Sequence, residues 1–429
     1  MKKWLCLTLL PSLALAEDKL DSGDTAWMMI STALVLLMTP AGLALFYGGM
    51  TRSKNLLNTY MMVFSAFLVG MVVWVAFGYS IAFGTADGEL NKLIGGFSNI
   101  FLNGISWDSL SGTYPTYVFI AFQGTFAAIT VAIASGSVIE RMKFSTWLVF
   151  AALWIVVVYA PITHMVWGGG FLFDAGALDF AGGTVVHMNG GLAGLVLAFL
   201  VGKRKGYPKI AMKPISVMLT ALGAALLWFG WFGFNGGSAF GANAIAGLAF
   251  FTTALSPAVA GLTWILIEYV VYKKTTLLGA ASGVVAGLVA ITPAAGFVDV
   301  SGAIILGSIG SVIGFFGVTT IKKKLGYDDS LDAFGIHFLV GLWGALATGF
   351  LALDDKNLLW DGPLKDTGDR MGQFIVQVES VVVVGLITLI GTVIVYYISS
   401  AITGDGRVDE ESESVGLDET IHGEKSFNL

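Results

Sequence analysis

Asp179 to Gly194 reads DFAGGTVVHMNGGLAG, and Asp329 to Gly344 reads DSLDAFGIHFLVGLWG. Both follow the spacing D-x7-H-x3-G-x2-G, so Asp179, His187, Gly191 and Gly194 have counterparts in Asp329, His337, Gly341 and Gly344. On a helix, positions i, i+4 and i+7 share a face, so each histidine stands on a glycine track along which a neighbouring helix can approach closely. One such match arises by chance, and a lone histidine on an apolar helix is ordinarily a satisfied core residue. Two matches in two halves of one apolar chain point instead to a pair of histidines facing each other inside a helix bundle. Ionisable residues in that setting carry function.

The 429 residues are 56% hydrophobic and 12% charged, include 56 glycines and have a mean hydropathy of +0.80. This is an all-α polytopic membrane protein. A net charge of -6, with no basic patch interleaved with aromatics, argues against nucleic-acid binding. The single cysteine, Cys6, rules out a disulfide framework and a cysteine metal site. No nucleophile motif, phosphate-binding glycine loop or metal-ligand cluster stands out, so neither an enzyme nor a resident cofactor is expected. Residues 1–16 carry Lys2, Lys3, a short apolar run and Ala14-Leu15-Ala16, and read as a signal peptide cleaved after Ala16, with an uncleaved anchor as the alternative.

Eleven spans are expected, at about 24–48, 59–84, 115–139, 144–164, 181–202, 214–234, 245–271, 275–293, 302–321, 331–352 and 373–400. A polar, glycine-rich segment from Asp87 to Tyr114 separates the second from the third. With the N-terminus outside, the inner loops and tail collect Arg52, Lys54, Arg141, Lys143, Lys203 to Lys213, Lys273, Lys274, Lys322 to Lys324, Arg407 and Lys425. That bias predicts a cytoplasmic C-terminus. The transmembrane domain, 17–402, divides into halves of five spans, about 24–202 and 214–352, followed by an eleventh helix that braces the bundle and a tail, 403–429. Five is odd, so the halves are inverted relative to each other. Phe46-Tyr47-Gly48-Gly49 closes the first span and Phe234-Asn235-Gly236-Gly237 the sixth, while the two D-x7-H stretches open the fifth and tenth. An inverted repeat places its site near the membrane midplane between the halves. Each histidine enters about seven residues into its span from opposite faces, which at ~1.5 Å per residue brings the two together near the middle of a ~30 Å core.

At His187 and His337 the chain closely resembles the ammonium transporter (Amt/Mep/Rh) family, bacterial Amt type. The likeness extends through Gly230-Trp231-Phe232-Gly233-Phe234-Asn235, His164-Met165-Val166-Trp167-Gly168-Gly169-Gly170, Ala44-Leu45-Phe46-Tyr47-Gly48-Gly49, Ala121-Phe122-Gln123-Gly124 and Ala177 to Thr184. It runs from the first span to the tail. The resemblance implies a homotrimer in the cell inner membrane, with one pore per subunit lined by His187 and His337. It implies a gate of stacked rings at Phe126 and Phe234, an outer recruitment site at Phe122, Phe126, Trp167 and Ser238, and a supporting carboxylate at Asp179. In the tail, Gly416, Asp418, His422 and Gly423 fall in a motif that resembles the family's ordered, regulatory cytoplasmic segment, where a PII-type nitrogen-signalling protein docks in bacterial members.

The chemistry fits these residue types. Aromatic faces attract cations at ~0.5–2 kcal/mol each, and the Ser238 hydroxyl can accept an N–H, which potassium lacks. A charge at the bilayer centre costs at least ~2.5–3.5 kcal/mol. Ammonium escapes part of that by giving up a proton; potassium and sodium cannot. The expectation is therefore that ammonium deprotonates near the gate and ammonia crosses an apolar pore, with methylammonium a further candidate. Neutral imidazoles in contact offer a proton relay, since each has one donor and one acceptor nitrogen. Whether the proton follows is a kinetic question.

Asp179 and Asp329, at the starts of the two histidine helices, read as helix caps. Glu268 and Glu379 read as end-of-span or inter-helix contacts, and His164 as a fixture of the Trp167 loop. By composition the tail is a solvated segment. The rival readings are an ammonium sensor, a neutral gas channel, a sodium-coupled symporter on an inverted-repeat scaffold, and a membrane redox protein with His187 and His337 as axial haem ligands. Sodium-dependent uptake would mark the symporter and a Soret band the haem protein.

Overall fold

Where no water is available, backbone N–H and C=O groups must be satisfied within the segment, and runs of Leu, Val, Ile, Phe and Ala this long do so as helices. The computed structural model describes residues 19–354 and 369–426; the expected signal peptide and Cys6 lie outside them. In chain order the helices are α1 (Ser22–Met50), α2 (Ser53–Phe83), α3 (Thr116–Ser135), α4 (Phe144–Asp174), α5 (Gly183–Val201), α6 (Val217–Gly237), α7 (Ala244–Tyr272), α8 (Leu277–Ile291), α9 (Val300–Leu325), α10 (Phe334–Leu351) and α11 (Arg370–Thr403). Ten of these, among the described residues, are long and apolar enough to cross a membrane; α8, at 15 residues, is the shorter apolar helix. Each expected span has one counterpart. The largest differences are the early start of α2, where a 3-10 turn at Ser53–Asn55 leads into the helix, and the late end of α4, which runs past His164. A hydropathy count stops at polar residues, but a helix need not.

Several helices carry π-type turns, among them Met38–Leu43, Gly183–Met188 and Phe334–Phe338. Such turns break the i→i+4 register and recur at functional sites. Pro40 accounts for the first, because it cannot donate to the ladder. The other two hold His187 and His337.

The two D-x7-H stretches are built alike. Asp179 accepts from the backbone N–H of Gly182 (2.8 Å), Gly183 (2.5 Å), Thr184 (2.8 Å) and Val185 (3.0 Å) and from Thr184 Oγ1 (2.6 Å). Asp329 accepts from the N–H of Ala333 (3.2 Å) and Phe334 (2.8 Å). These are the unpaired donors of a helix start, so both carboxylates cap and orient the turn that carries a histidine. The glycine tracks interlock: a Cβ on Gly191 would lie 2.5 Å from Phe338 N, and one on Gly341 would lie 3.1 Å from His187 Cβ. Each histidine helix therefore sits on the other's glycine.

Helix α11 ties the two stretches together from outside. Gln377 accepts from Leu178 N and donates to Leu178 O and Ala345 O, and Thr388 Oγ1 donates to Asn189 Oδ1. Glu379 is exposed, and Glu268 accepts from Thr276 N and Oγ1, fixing the start of α8.

At the end of the bundle that carries the tail, Glu140 is a buried hub with φ +77°. It accepts from Thr51 Oγ1, from Arg52 N and Nε and from Arg204 Nη1, while Arg204 also forks onto Asp328 at 2.7 Å. Burial pushes the Glu140 carboxyl up, but Arg204 and then Arg52 outweigh it and hold it at about 2, below its ordinary 4.5. A carboxylate lowered in the fold contributes stability that is complete above 4.5 and is lost as pH falls towards 2. Arg204→Met leaves the buried Asp328 without its forked cation and Glu140 with Arg52 alone, so it is expected to cost about 3–5 kcal/mol. Thermal unfolding in detergent across pH 3–7 checks both: the wild type loses stability in the acid arm, and the variant starts lower and loses less.

As far as residue 426 the tail is ordered, contrary to its composition. Short helices α12 (Glu410–Val415) and α13 (Leu417–His422) lie against the start of α2. Asp418 Oδ1 accepts from Asn58 N (2.8 Å), Leu417 N donates to Asn55 Oδ1 (2.8 Å), and Lys54 Nζ donates to Glu413 O (2.7 Å). Gly416, at φ +125°, packs against Lys54 where a side chain would collide. Gly423, at φ +66°, ends α13. The ring of His422 lies edge-on to Phe144, with Nε2 3.0 Å from Asn58 Nδ2. Burial of this contact lowers the His422 basicity and raises the Asp418 carboxyl.

Candidate functional site

His187 and His337 are buried, with Nδ1 atoms 3.3 Å apart and rings stacked at 5.3 Å between centroids. One Nδ1–H donates to the other Nδ1. In either tautomer one ring then offers a bare Nε2 and the other an Nε2–H, so the pair has an acceptor at one end and a donor at the other. His187 Nε2 has no partner among the described residues. Direct contact at 3.3 Å leaves no space for a porphyrin between the rings, which removes the haem geometry. Trp231 stacks on His187 at 5.2 Å and is fixed by its own Nε1–H donating to Thr292 Oγ1.

Next to His187 lies Phe234, with ring centroids 6.0 Å apart, and Phe126 stacks on Phe234 at 4.1 Å and 15°. Both phenylalanines are fully buried. Beyond them a cavity of about 140 Å³ is lined by Phe119, Gln123, Phe126, Trp167, Asp179 and Ser238, among others. Trp167 stands edge-on to Phe126 at 6.1 Å, and its Nε1–H donates to Asp179 O at 2.7 Å. Ser238 Oγ donates to Phe234 O, leaving its lone pairs free. His164 holds the Trp167 helix end: its ring nitrogens lie 2.9 Å from Ala82 O and 2.6 Å from Asn91 O.

On the far side of His337 a narrow cavity of about 20 Å³ is lined by Phe46, Tyr47, Ile336 and Asp332. It leads towards a vestibule of about 450 Å³ that shares Met50, Val318, Leu331 and Asp332. The stacked phenylalanines and the histidine pair thus form one buried line between two cavities at opposite ends of the bundle.

Of the residues expected from sequence, Phe126, Phe234, Trp167, Ser238, Asp179, His187 and His337 come together along this line. Phe122 is adjacent but buried behind Phe126, at 4.8 Å, and the wall facing the cavity one turn earlier is Phe119. Asp329 and the tail residues lie towards the other end. Sequence reading missed Phe119, Gln123 and the Glu140–Arg204–Asp328 hub. The first two were findable from α3 itself, since 119, 123 and 126 fall at i, i+4 and i+7.

The profile of the Ammonium Transporter Family matches residues 26–427. The chain is 48% identical to an ammonium transporter of Aquifex aeolicus over 99% of its own length and 98% of that protein. It is 47% identical to the ammonium transporter of Bacillus subtilis over 95% and 99%. Among solved structures it resembles Candida albicans Mep2, with a TM-score of 0.83 at 33% identity, covering 92% of this chain and 88% of that one. The chain therefore belongs to the ammonium transporter family, as a multi-pass membrane protein and not an enzyme.

Proposed function

We propose that the protein recruits ammonium in the cavity beside Trp167, deprotonates it at the Phe126–Phe234 pair and conducts ammonia past His187 and His337, with the proton relayed between the two rings. The observation that carries this reading is the stacked phenylalanine pair set directly against a hydrogen-bonded histidine pair in an otherwise apolar line. Rings at the entrance attract a cation, and the two closed phenylalanines exclude its hydration shell. Beyond them only a species that can shed its charge avoids the cost of a charge in the membrane interior. Direct contact between the imidazoles supports the relay: a proton arriving on one Nε2 can leave from the other after the shared Nδ1 proton shifts.

Lysines and arginines cluster at the tail end of the bundle, which supports placing that end in the cytoplasm and the Trp167 cavity outside, in a bacterial inner membrane. The matched D-x7-H stretches, entering from opposite ends, support an inverted repeat of five helices and five, with α11 outside it. Family membership supports a homotrimer. The docked tail, with Gly416, Asp418 and His422 at its contact with α2 and Gly423 ending α13, supports a regulatory surface for a PII-type protein.

The test is an ammonium jump on proteoliposomes with current and internal pH recorded together. A transient current with ammonium and none with potassium at equal ionic strength is the expected result. A rise in internal pH without current would replace the relay with neutral ammonia conduction.

A further inference from the structure

One polar group in the outer cavity has no role in the site described above. Helix α3 turns Phe119, Gln123 and Phe126 towards the cavity. Gln123 is 3% exposed, and its Oε1 has no hydrogen-bond partner among the described residues. A buried amide oxygen in that state ordinarily costs about 1–3 kcal/mol, and native folds rarely leave one. Its neighbours across the cavity are mostly rings, and the two donors among them are committed: the Trp167 indole to Asp179 O and the Ser238 hydroxyl to Phe234 O. The nearest carboxylate is equally committed, since Asp179 receives five donors from Gly182 to Val185. What the cavity has left is acceptor capacity, in the lone pairs of Ser238 Oγ and in the Gln123 amide.

We infer that Gln123 is a ligand for the cation in this cavity, its amide carbonyl accepting one N–H of ammonium while Ser238 Oγ accepts another. The remaining N–H bonds then face Trp167 and Phe126. The two ends of an amide exchange by rotation about its last side-chain bond, and a cation selects the oxygen. Hydrogen bonds to an ionised donor are roughly twice as strong as neutral ones. A neutral acceptor adds that strength without the permanent charge that would hold the ion in place, which suits a site that must release its cargo inward. The assignment rests on the recruitment reading above.

The experiment compares half-saturating ammonium concentration, from transient currents in proteoliposomes, for the wild type, Gln123→Met, Gln123→Glu and Trp167→Leu. Methionine keeps the length of glutamine and removes the acceptor, so it is expected to raise half-saturation about tenfold. Gln123→Glu keeps an oxygen at the same place and is expected at or below the wild-type value. Trp167→Leu reports on the recruitment site itself and is expected to raise it. If Trp167→Leu raises half-saturation and Gln123→Met does not, the Gln123 assignment is overturned and the site stands. If neither moves, the recruitment reading falls with it. Should Gln123→Met fail to assemble, Gln123→Glu decides, with a value above wild type counting against the assignment.

Discussion

Protein carrying His187→Ala together with His337→Ala is expected to lose its ammonium-evoked current by about a hundredfold, or to admit potassium alongside ammonium. The magnitude follows from the cost of the alternative. Without a relay, the ion itself must cross the apolar segment, at ~2.5–3.5 kcal/mol or more, which is about two orders of magnitude in rate. The potassium outcome follows from volume, because two alanines leave space for water where the rings were in contact. Currents with ammonium and with potassium, measured on the same vesicles, separate these outcomes. A double variant that kept both its current and its preference for ammonium would remove the histidines from the mechanism.

Asp179→Asn is expected to have the second large effect. The carboxylate accepts five hydrogen bonds. An amide of the same shape has one accepting oxygen, and its NH2 would face N–H groups that have no other partner in the turn. Leaving a buried donor unsatisfied costs about 1–3 kcal/mol, so two or more such losses exceed what the start of α5 can absorb locally. The turn that carries His187 and Trp167's indole acceptor is therefore expected to shift. The measurement pairs a thermal melt with ammonium flux. A lowered melting temperature and flux reduced at least about tenfold are expected. Flux retained at the wild-type level would mean that the turn is held by its neighbours alone.

Much of this was legible from the sequence because a membrane forces backbone groups into helices and histidines into partnership. The paired D-x7-H spacing placed His187 against His337, and the glycine spacing announced the close approach at Gly191 and Gly341. Helix ends were less legible, because a polar residue such as His164 reads as a boundary although its ring is held by backbone carbonyls, Ala82 O at the end of α2 and Asn91 O in the loop that follows. Glu140, Arg204 and Asp328 were not legible at all as a unit. They are separated by 64 and 124 residues in the chain, and charge next to a span ordinarily means solvent rather than a buried hub. The tail misled for a related reason: its order comes from groups on α2 that only the fold brings within reach.

That last contact changes how a shortened chain should be interpreted. Past its opening 3-10 turn, the α-helical part of α2 starts at Leu56 with no side-chain cap from Asn55; Asp418, far along the chain, supplies the acceptor for Asn58 N. Arg407 and Glu413 likewise bond to Lys203 O and Lys205 N. A truncation after α11 therefore removes a foundation as well as any regulator, and a fall in transport in such a chain would not by itself identify a lost signal. A single substitution at an exposed tail position such as Glu411 leaves those anchors in place and can report on regulation alone.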